Sequence, residues 1–438
     1  MKGKRAALLA ALLLLAGCSG AGERVSDSSP EPLLAPQAAA PLQEQAFEEQ
    51  KTRLWQKEPV RAGSGSFSEP GELSQEQQTV ILEFVSLFYE SLASLQLQEP
   101  DALFSSDAAV SCSGNRAVWE YLIGIRSGAQ SDLSLTGYRY ELDCQSIEQQ
   151  ADGSLFVRVS EHNRQEFAAY PQAETEQFQL IRQFILQLEN GQWKIASHIQ
   201  FDSLFWMVTG RYAFRRFDSR EFPDMPDFTE QEALACFKER KEKLLADAGA
   251  ARLTWEQGEC APLPAEFPYD REAAVAYARE WVGRRSEEWA DYSRNGGNCQ
   301  NFTSQCLLAG GIPMDIRLPG IWKWVGSSPD NQPRMAGRSA SFSGVGEFMD
   351  YVQQNEGYGL VASAEEPYYS GEPGDLLHLG PEEGDWRHTV IITDVITDET
   401  GRVRDYLVHS NTADLKNFPA SAYPYPCQRL IKIYGYNG

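Results

Sequence analysis

Basic residues are scarce in this chain. Its 62 aspartates and glutamates face 39 lysines and arginines, for a formal charge of −23. No basic stripe is present to displace counterions from phosphates, which excludes nucleic acid as a partner. The same deficit argues against electrostatic docking on anionic lipid or on polyanionic wall polymers. Long apolar runs are also missing: the N-terminal one, residues 6–14, is too short to span a bilayer. Neither Cys-x-x-Cys nor His-Glu-x-x-His occurs, so neither a dedicated zinc site nor a cofactor is expected. No wall-binding repeat is visible. The chain does carry eight cysteines, and Cys18 and Cys299 stand in contexts that point to chemistry.

Cys18 closes an export signal. Lys2, Lys4 and Arg5 supply the basic region, and an apolar stretch leads to Leu15-Ala16-Gly17-Cys18. The last four residues resemble a bacterial lipobox, which implies cleavage after residues 1–17 and lipid on Cys18. An extracytoplasmic protein anchored to the bacterial membrane by lipid is the expectation. Residues 18–70 are rich in Ser, Pro, Ala, Gln and Glu and include Gly63-Ser64-Gly65-Ser66. Such composition buries too little apolar surface to offset chain entropy, so this stretch is expected to be a flexible tether.

Residues 71–217 read as one α+β domain. Ser74 can cap a helix running to Leu95, and a second helical piece covers 117–126. The period then changes to that of strands over 133–149, 154–167, 176–189 and 192–201. Hairpin signals at Asp152-Gly153 and Asn190-Gly191 separate them. Helices followed by long antiparallel strands imply helices packed on one sheet face. This layout is similar to the NTF2-like folds. His162 and His198 fall in its strands and read as ordinary strand residues. Residues 218–268 are expected to be a helical linker. Its helix, over 229–249, is capped by Thr229 and ended by Gly249, and Pro262, Pro264 and Pro268 close it.

The most informative stretch is Gly296-Gly297-Asn298-Cys299-Gln300-Asn301-Phe302, followed by Cys306 and a second glycine pair at Gly310-Gly311. Cys299, Phe302 and Cys306 recur at helical spacing, which puts Cys299 at a helix start. There, free N–H groups and the positive end of the dipole favour a thiolate. A helix over 271–285 precedes it, another is expected over 345–354, and strands follow at 375–379, 388–395, 403–409 and 429–434. Within the third of these elements after Cys299, His388, Val390 and Ile392 share one face. His388 is therefore the natural base for Cys299. Leu407, His409 and Asn411 alternate onto one face of the next strand, so Asn411 or His409 can orient the imidazole. The remaining six cysteines allow 15 pairings; Cys112 with Cys144 and Cys236 with Cys260 are the proposed pairs, each within one region.

These residues carry a resemblance. From Tyr269 to Tyr436 the chain is similar to the putative amidase domain of exported bacterial proteins, which groups with papain-like and CHAP-type cysteine amidohydrolases. The matching segments are Tyr269-Asp270-Arg271-Glu272-Ala273-Ala274, Gly297-Asn298-Cys299-Gln300-Asn301-Phe302, Ala309-Gly310-Gly311-Ile312-Pro313-Met314, Gly374-Asp375-Leu376-Leu377, His388-Thr389-Val390-Ile391 and Ser410-Asn411-Thr412-Ala413-Asp414. The resemblance implies a papain-like domain over 269–438, with a helix-plus-antiparallel-sheet fold, a Cys299 nucleophile and a His388 base. Three positions depart from the family pattern: Asn298 stands where Asp is common, Asn411 where relatives tend to have His, and Thr303 where Val is typical. The reaction expected is amide or peptide hydrolysis through an acyl-enzyme, with cell-wall peptides as a candidate substrate. The Cys299 N–H, with Tyr292 or Gln300, would stabilise the oxyanion. Trp322, Trp324 and Trp386 are candidates to line the cleft. Two rival readings follow from the same residues: a degenerate module that binds peptides or proteins, and a metal site built from His378, His388, His409 and Cys299.

Overall fold

Helices begin where the sequence supplies its own caps. The Ser74 hydroxyl accepts from the Gln77 N–H at 3.3 Å, and the Gln77 side chain accepts from the Ser74 N–H at 2.8 Å. This capping box opens α1 (Gln75–Ser94). The next helix, α2 (Ala109–Ser127), starts earlier than its periodic stripe predicts, because Cys112, Gly114 and Asn115 are also buried. The computed structural model describes residues 63–210, 212, 229–293 and 296–438. The export signal, Cys18 and most of the expected tether lie outside the described residues.

Four long strands follow: β2 (Leu135–Gln149), β3 (Leu155–Phe167), β4 (Thr175–Glu189) and β5 (Gln192–Gln200). They pair antiparallel in sequence order. Asn190 and Gly191 turn the last hairpin with φ of 50° and 80°, the left-handed pair that a two-residue hairpin needs. A short helix, α3 (Ser203–Thr209), is capped by Asp202. The long helix α4 (Glu230–Leu253) begins at a second capping box, Thr229 with Glu232. It runs past Gly249, the expected end, because Arg252 in its last turn donates to the Ile125 and Ser421 carbonyls at 2.9 and 2.8 Å.

One strand was hidden in the stretch expected to be a tether. Ser64–Glu69 forms β1, which pairs parallel with β2. A Cβ on Gly63 would fall 2.1 Å from the Tyr138 ring, and one on Gly65 would fall 1.9 Å from the Tyr140 ring. The glycines make room for two aromatic rings; they are not there for chain freedom.

The second half places its helices first: α5 (Arg271–Trp281), α6 (Cys299–Ala309), α7 (Ala340–Ser343) and α8 (Val345–Gln354). Strands follow as β6 (Gly359–Ser363), β7 (Leu376–Gly380), β8 (His388–Thr397), β9 (Val403–Ser410), β10 (Asp414–Pro419) and β11 (Cys427–Asn437). The result is a mixed α+β fold around one sheet, in the order β1-β2-β3-β4-β10-β9-β8-β7-β11-β6, with β5 on the outer half of β4. The joint is β4. Its residues Glu176, Gln177 and Phe178 pair with Lys416, Leu415 and Asp414 of β10, and Arg182 onward pairs with β5. Strand alternation then sends Leu376, Ile391, Ile431 and Ile433 to a core under α5, α6 and α8. Leu377, Leu379, Val390 and Ile392 face the other core, which continues into the first half. Both faces are covered, so these strands read as nearly continuous apolar runs.

None of the seven described cysteines is in a disulfide. The expected pairs do not form because their members sit in different surroundings. Cys112 lies beside Glu99, Asp101 and Arg116 on α2, whereas the Cys144 thiol donates toward the Ser146 carbonyl on β2. Cys236 lies on α4 beside Glu239 and Arg240, and Cys260 lies near Tyr434.

Candidate active site

The start of α6 is held from both sides. Gly296 and Gly297 have φ of 98° and 108°, a left-handed conformation that explains why both positions are glycine. The Gly297 N–H donates to the Tyr292 carbonyl at 3.1 Å. Asn298 then makes four bonds besides the helical one from the Phe302 N–H to its carbonyl. Its N–H donates to Thr412 Oγ1 at 2.9 Å and its Nδ2 donates to Asn411 Oδ1 at 3.0 Å. Its Oδ1 accepts from the Tyr292 N–H at 3.2 Å and from Asn301 Nδ2 at 2.9 Å. Thr412 is itself fixed, because its N–H donates to Asp414, which also takes both arms of Arg285 at 3.0 Å. Cys299 follows as the first helical residue and is only 4% exposed.

His388 opens β8, two strands from β10 and at the same end of the sheet as Asn411 and Thr412. Its Nε2 lies 3.1 Å from the Tyr423 hydroxyl, which lies 2.8 Å from Ser410 Oγ. The Tyr423 and Tyr425 rings flank the imidazole at centroid distances of 5.6 and 6.2 Å. Burial is the main cause that pushes the Tyr425 hydroxyl up to about 12, and charge on Cys299 pushes it the same way. Tyr423 is raised in the same manner, again with Cys299 among the causes. Charge on Cys299 thus acts at a distance on the two tyrosines that flank His388. Burial pushes His388 down to about 3, so at neutral pH it is an uncharged imidazole.

Residues 268–434 match the putative amidase domain.

Among curated proteins, an uncharacterized protein, YhbB, of Bacillus subtilis (strain 168) is 34% identical over 157 residues. That alignment covers 34% of this chain and 43% of the relative, so the chain spans less than half of the relative's length. Among solved structures, the intermembrane space region of chloroplast protein ARC6 aligns at 15% identity over 28% of this chain and 94% of its own. Its TM-score of 0.17 is too low to carry an argument about fold.

The other candidates within the matched segment have contacts of their own. Asn411 bonds Asn298 and lies 3.5 Å from the Trp281 carbonyl, so it clamps the α6 start. His409 is fully buried; its Nδ1 lies 3.0 Å from Thr393 Oγ1, and burial, with Lys416 and Arg279 nearby, pushes it down to about 3. Among the described residues the hydrogen-bond partner of His388 is Tyr423, not Asn411 or His409. Gln300 donates along its own helix to Ser304 at 3.2 Å, and Tyr292 sits under Arg338 with its hydroxyl near Trp324 Nε1. Trp322 is fully buried and donates to Ser304, so it is a core residue; Trp324 and Trp386 are partly buried on the same cluster. His378 is buried beside Phe348, and no group of three or more potential metal ligands converges among the described residues. In the first half His162 is half-buried and His198 buried; loss of solvent pushes His162 down to about 4 and lowers His198 as well.

A cavity of about 490 Å³ lies elsewhere, lined by Glu259, Cys260, Arg271, Glu372, Lys432 and Tyr434. Its cations are already paired, Arg271 with Asp375 and Lys432 with Glu372, so size alone does not make it the reaction site. Residue patterns missed Tyr423, Ser410, Tyr425 and Thr412. The run Tyr423-Pro424-Tyr425-Pro426 held a signal: a proline holds the residue before it extended, and Tyr423 has φ −64° and ψ 139°.

Proposed function

We propose that this protein is an extracytoplasmic, lipid-anchored cysteine amidohydrolase, with a papain-like module over 269–438 behind an NTF2-like domain. The observation that carries the reading is geometric: Cys299 is buried at the start of α6, which packs on β8, and His388 opens that strand with Tyr423 on its Nε2. Attack by Cys299 sulfur on an amide carbonyl carbon forms a C–S bond as the thiol proton passes to His388. The tetrahedral oxyanion meets amide dipoles at the α6 N-terminus. Collapse breaks the C–N bond, and His388 returns the proton to the leaving amine. Water, deprotonated by the same imidazole, then cleaves the thioester and releases the acid.

The departures at positions 298 and 411 are complementary in this reading. An Asp and a His there would form a charged pair, whereas Asn298 and Asn411 keep the hydrogen bond without charge. They act on helix placement and leave the nucleophile and base intact. Cell-wall peptides are the proposed substrate, given the expected export. The test is mass spectrometry of products from purified wall material incubated with the full chain and with Cys299→Ala. New amine and carboxyl ends with the wild type alone are expected; products from the variant would refute the nucleophile. The burial of Cys299 favours one second reading, a closed module that binds without turnover. Iodoacetamide separates the two, because an activated Cys299 alkylates fast at neutral pH and an inert one does not.

A further inference from the structure

We infer that Tyr423 and Ser410 are positioning residues that set the tautomer of His388, a role the sequence pattern had offered to Asn411 or His409. The inference rests on the amidohydrolase reading for its purpose, but not for its geometry. The argument is one of counting protons. Ser410 Oγ lies 2.7 Å from the Ala413 carbonyl, which can only accept, so the Ser410 proton is committed there. The contact of 2.8 Å between Ser410 and Tyr423 then requires the Tyr423 hydroxyl to donate. With its one proton given to Ser410, the Tyr423 oxygen can only accept from His388, whose Nε2 lies 3.1 Å away. Neutral His388 must therefore carry its proton on Nε2. Its Nδ1 keeps the lone pair that receives the Cys299 proton, and after transfer the cation stays bonded to Tyr423 through Nε2.

The placement supports this role. Ser410, Tyr423 and His388 are all buried, so water does not compete for the Nε2 proton. Ser410 is the last residue of β9 and Ala413 precedes β10, so the relay is anchored in the turn that also carries Asn411 and Thr412. The proton order and the α6 clamp are therefore set by one loop.

The test is the tautomer itself, read by long-range ¹H–¹⁵N correlation of histidine-labelled full-length protein, alongside the pH profile of Cys299 alkylation by iodoacetamide. Wild-type His388 is expected as the Nε2–H form. Tyr423→Phe keeps the ring and removes the acceptor, so a mixture of tautomers and roughly 10-fold slower alkylation at pH 7 are expected, as for the loss of one hydrogen bond. Ser410→Ala frees the Tyr423 proton to turn toward Nε2, which should shift His388 toward the Nδ1–H form. A purely structural role predicts no such shift, and this second variant stands if the first does not fold. A wild-type Nδ1–H form, or variants with an unchanged tautomer, overturns the inference. Slow alkylation of wild-type Cys299 beside a correct tautomer would instead defeat the amidohydrolase reading and leave the relay in place.

Discussion

One buried polar cluster in each half of the molecule is built in the opposite way from the other. In the first half, β3 turns Glu161, Asn163 and Gln165 inward, and Glu161 pairs with Arg182 although both side chains are fully buried. Tyr89 donates to the same carboxylate, and Asn163 Nδ2 donates to it at 2.9 Å. In the second half the buried groups at the sheet end are His378, His388 and His409, each pushed down to about 3 chiefly by burial. Two of them have hydroxyl partners, Tyr423 for His388 and Thr393 for His409. A buried ion pair is bound to its counter-charge and is an inert fixture near neutral pH. A buried neutral imidazole beside a hydroxyl has a lone pair available. The first arrangement suits a scaffold and the second suits proton transfer.

That contrast can be broken most directly at Glu161. Glu161→Ala leaves Arg182 buried without its counter-charge and is expected to cost about 3–5 kcal/mol in urea unfolding, with the Cys299 alkylation profile of the folded fraction unchanged. A loss below about 1 kcal/mol would show that the pair is no fixture.

The histidines sharpen the other side. All five have lowered pKa values in the folded state, so below about 6.5 the unfolded chain binds protons that the folded chain refuses. Their contribution is complete above that pH and is lost as pH falls toward 3–4, at up to about 1.4 kcal/mol per histidine per pH unit. Buried Asp202, Asp375 and Asp405, with raised pKa values, push the opposite way at lower pH. Thermal melts between pH 7 and 5.5 should therefore show a steep fall in Tm; a flat profile would mean the imidazoles are solvated.

Smaller effects test one local contact in each half. Thr412→Val removes the acceptor of the Asn298 N–H and should cost about 1–3 kcal/mol while slowing Cys299 alkylation, which chemical denaturation and the same thiol assay would measure. Gly65→Ala forces a Cβ into the Tyr140 ring and should release β1, with faster amide hydrogen exchange confined to residues 64–69 and less than about 1 kcal/mol lost overall.

Much of this architecture is legible in the residues. Ser74 and Thr229 name their helices, the 345–354 stripe coincides with α8, and Cys299 falls on the first residue of α6. Glycines misled in the tether because a strand packed against aromatic rings and a flexible linker share the composition of Gly63-Ser64-Gly65-Ser66. Alternation places His409 and Asn411 on one face of a strand, whereas β9 ends at Ser410 and Asn411 lies in the turn beyond it. Alternation could not say that Asn411 meets Asn298 at the α6 start while Ser410 meets Tyr423.

Sequence alone determined the caps, the periods, the place of Cys299 at a helix start and the acidic balance, because each depends on composition or on residues within a few positions of one another. Tertiary structure decided the rest: β4 joining β10 into one sheet, Asn411 holding Asn298, and Tyr423 meeting an imidazole 35 residues earlier in the chain. Which distant hydrogen-bond partners meet depends on strand order and register, and local pattern carries no information about either.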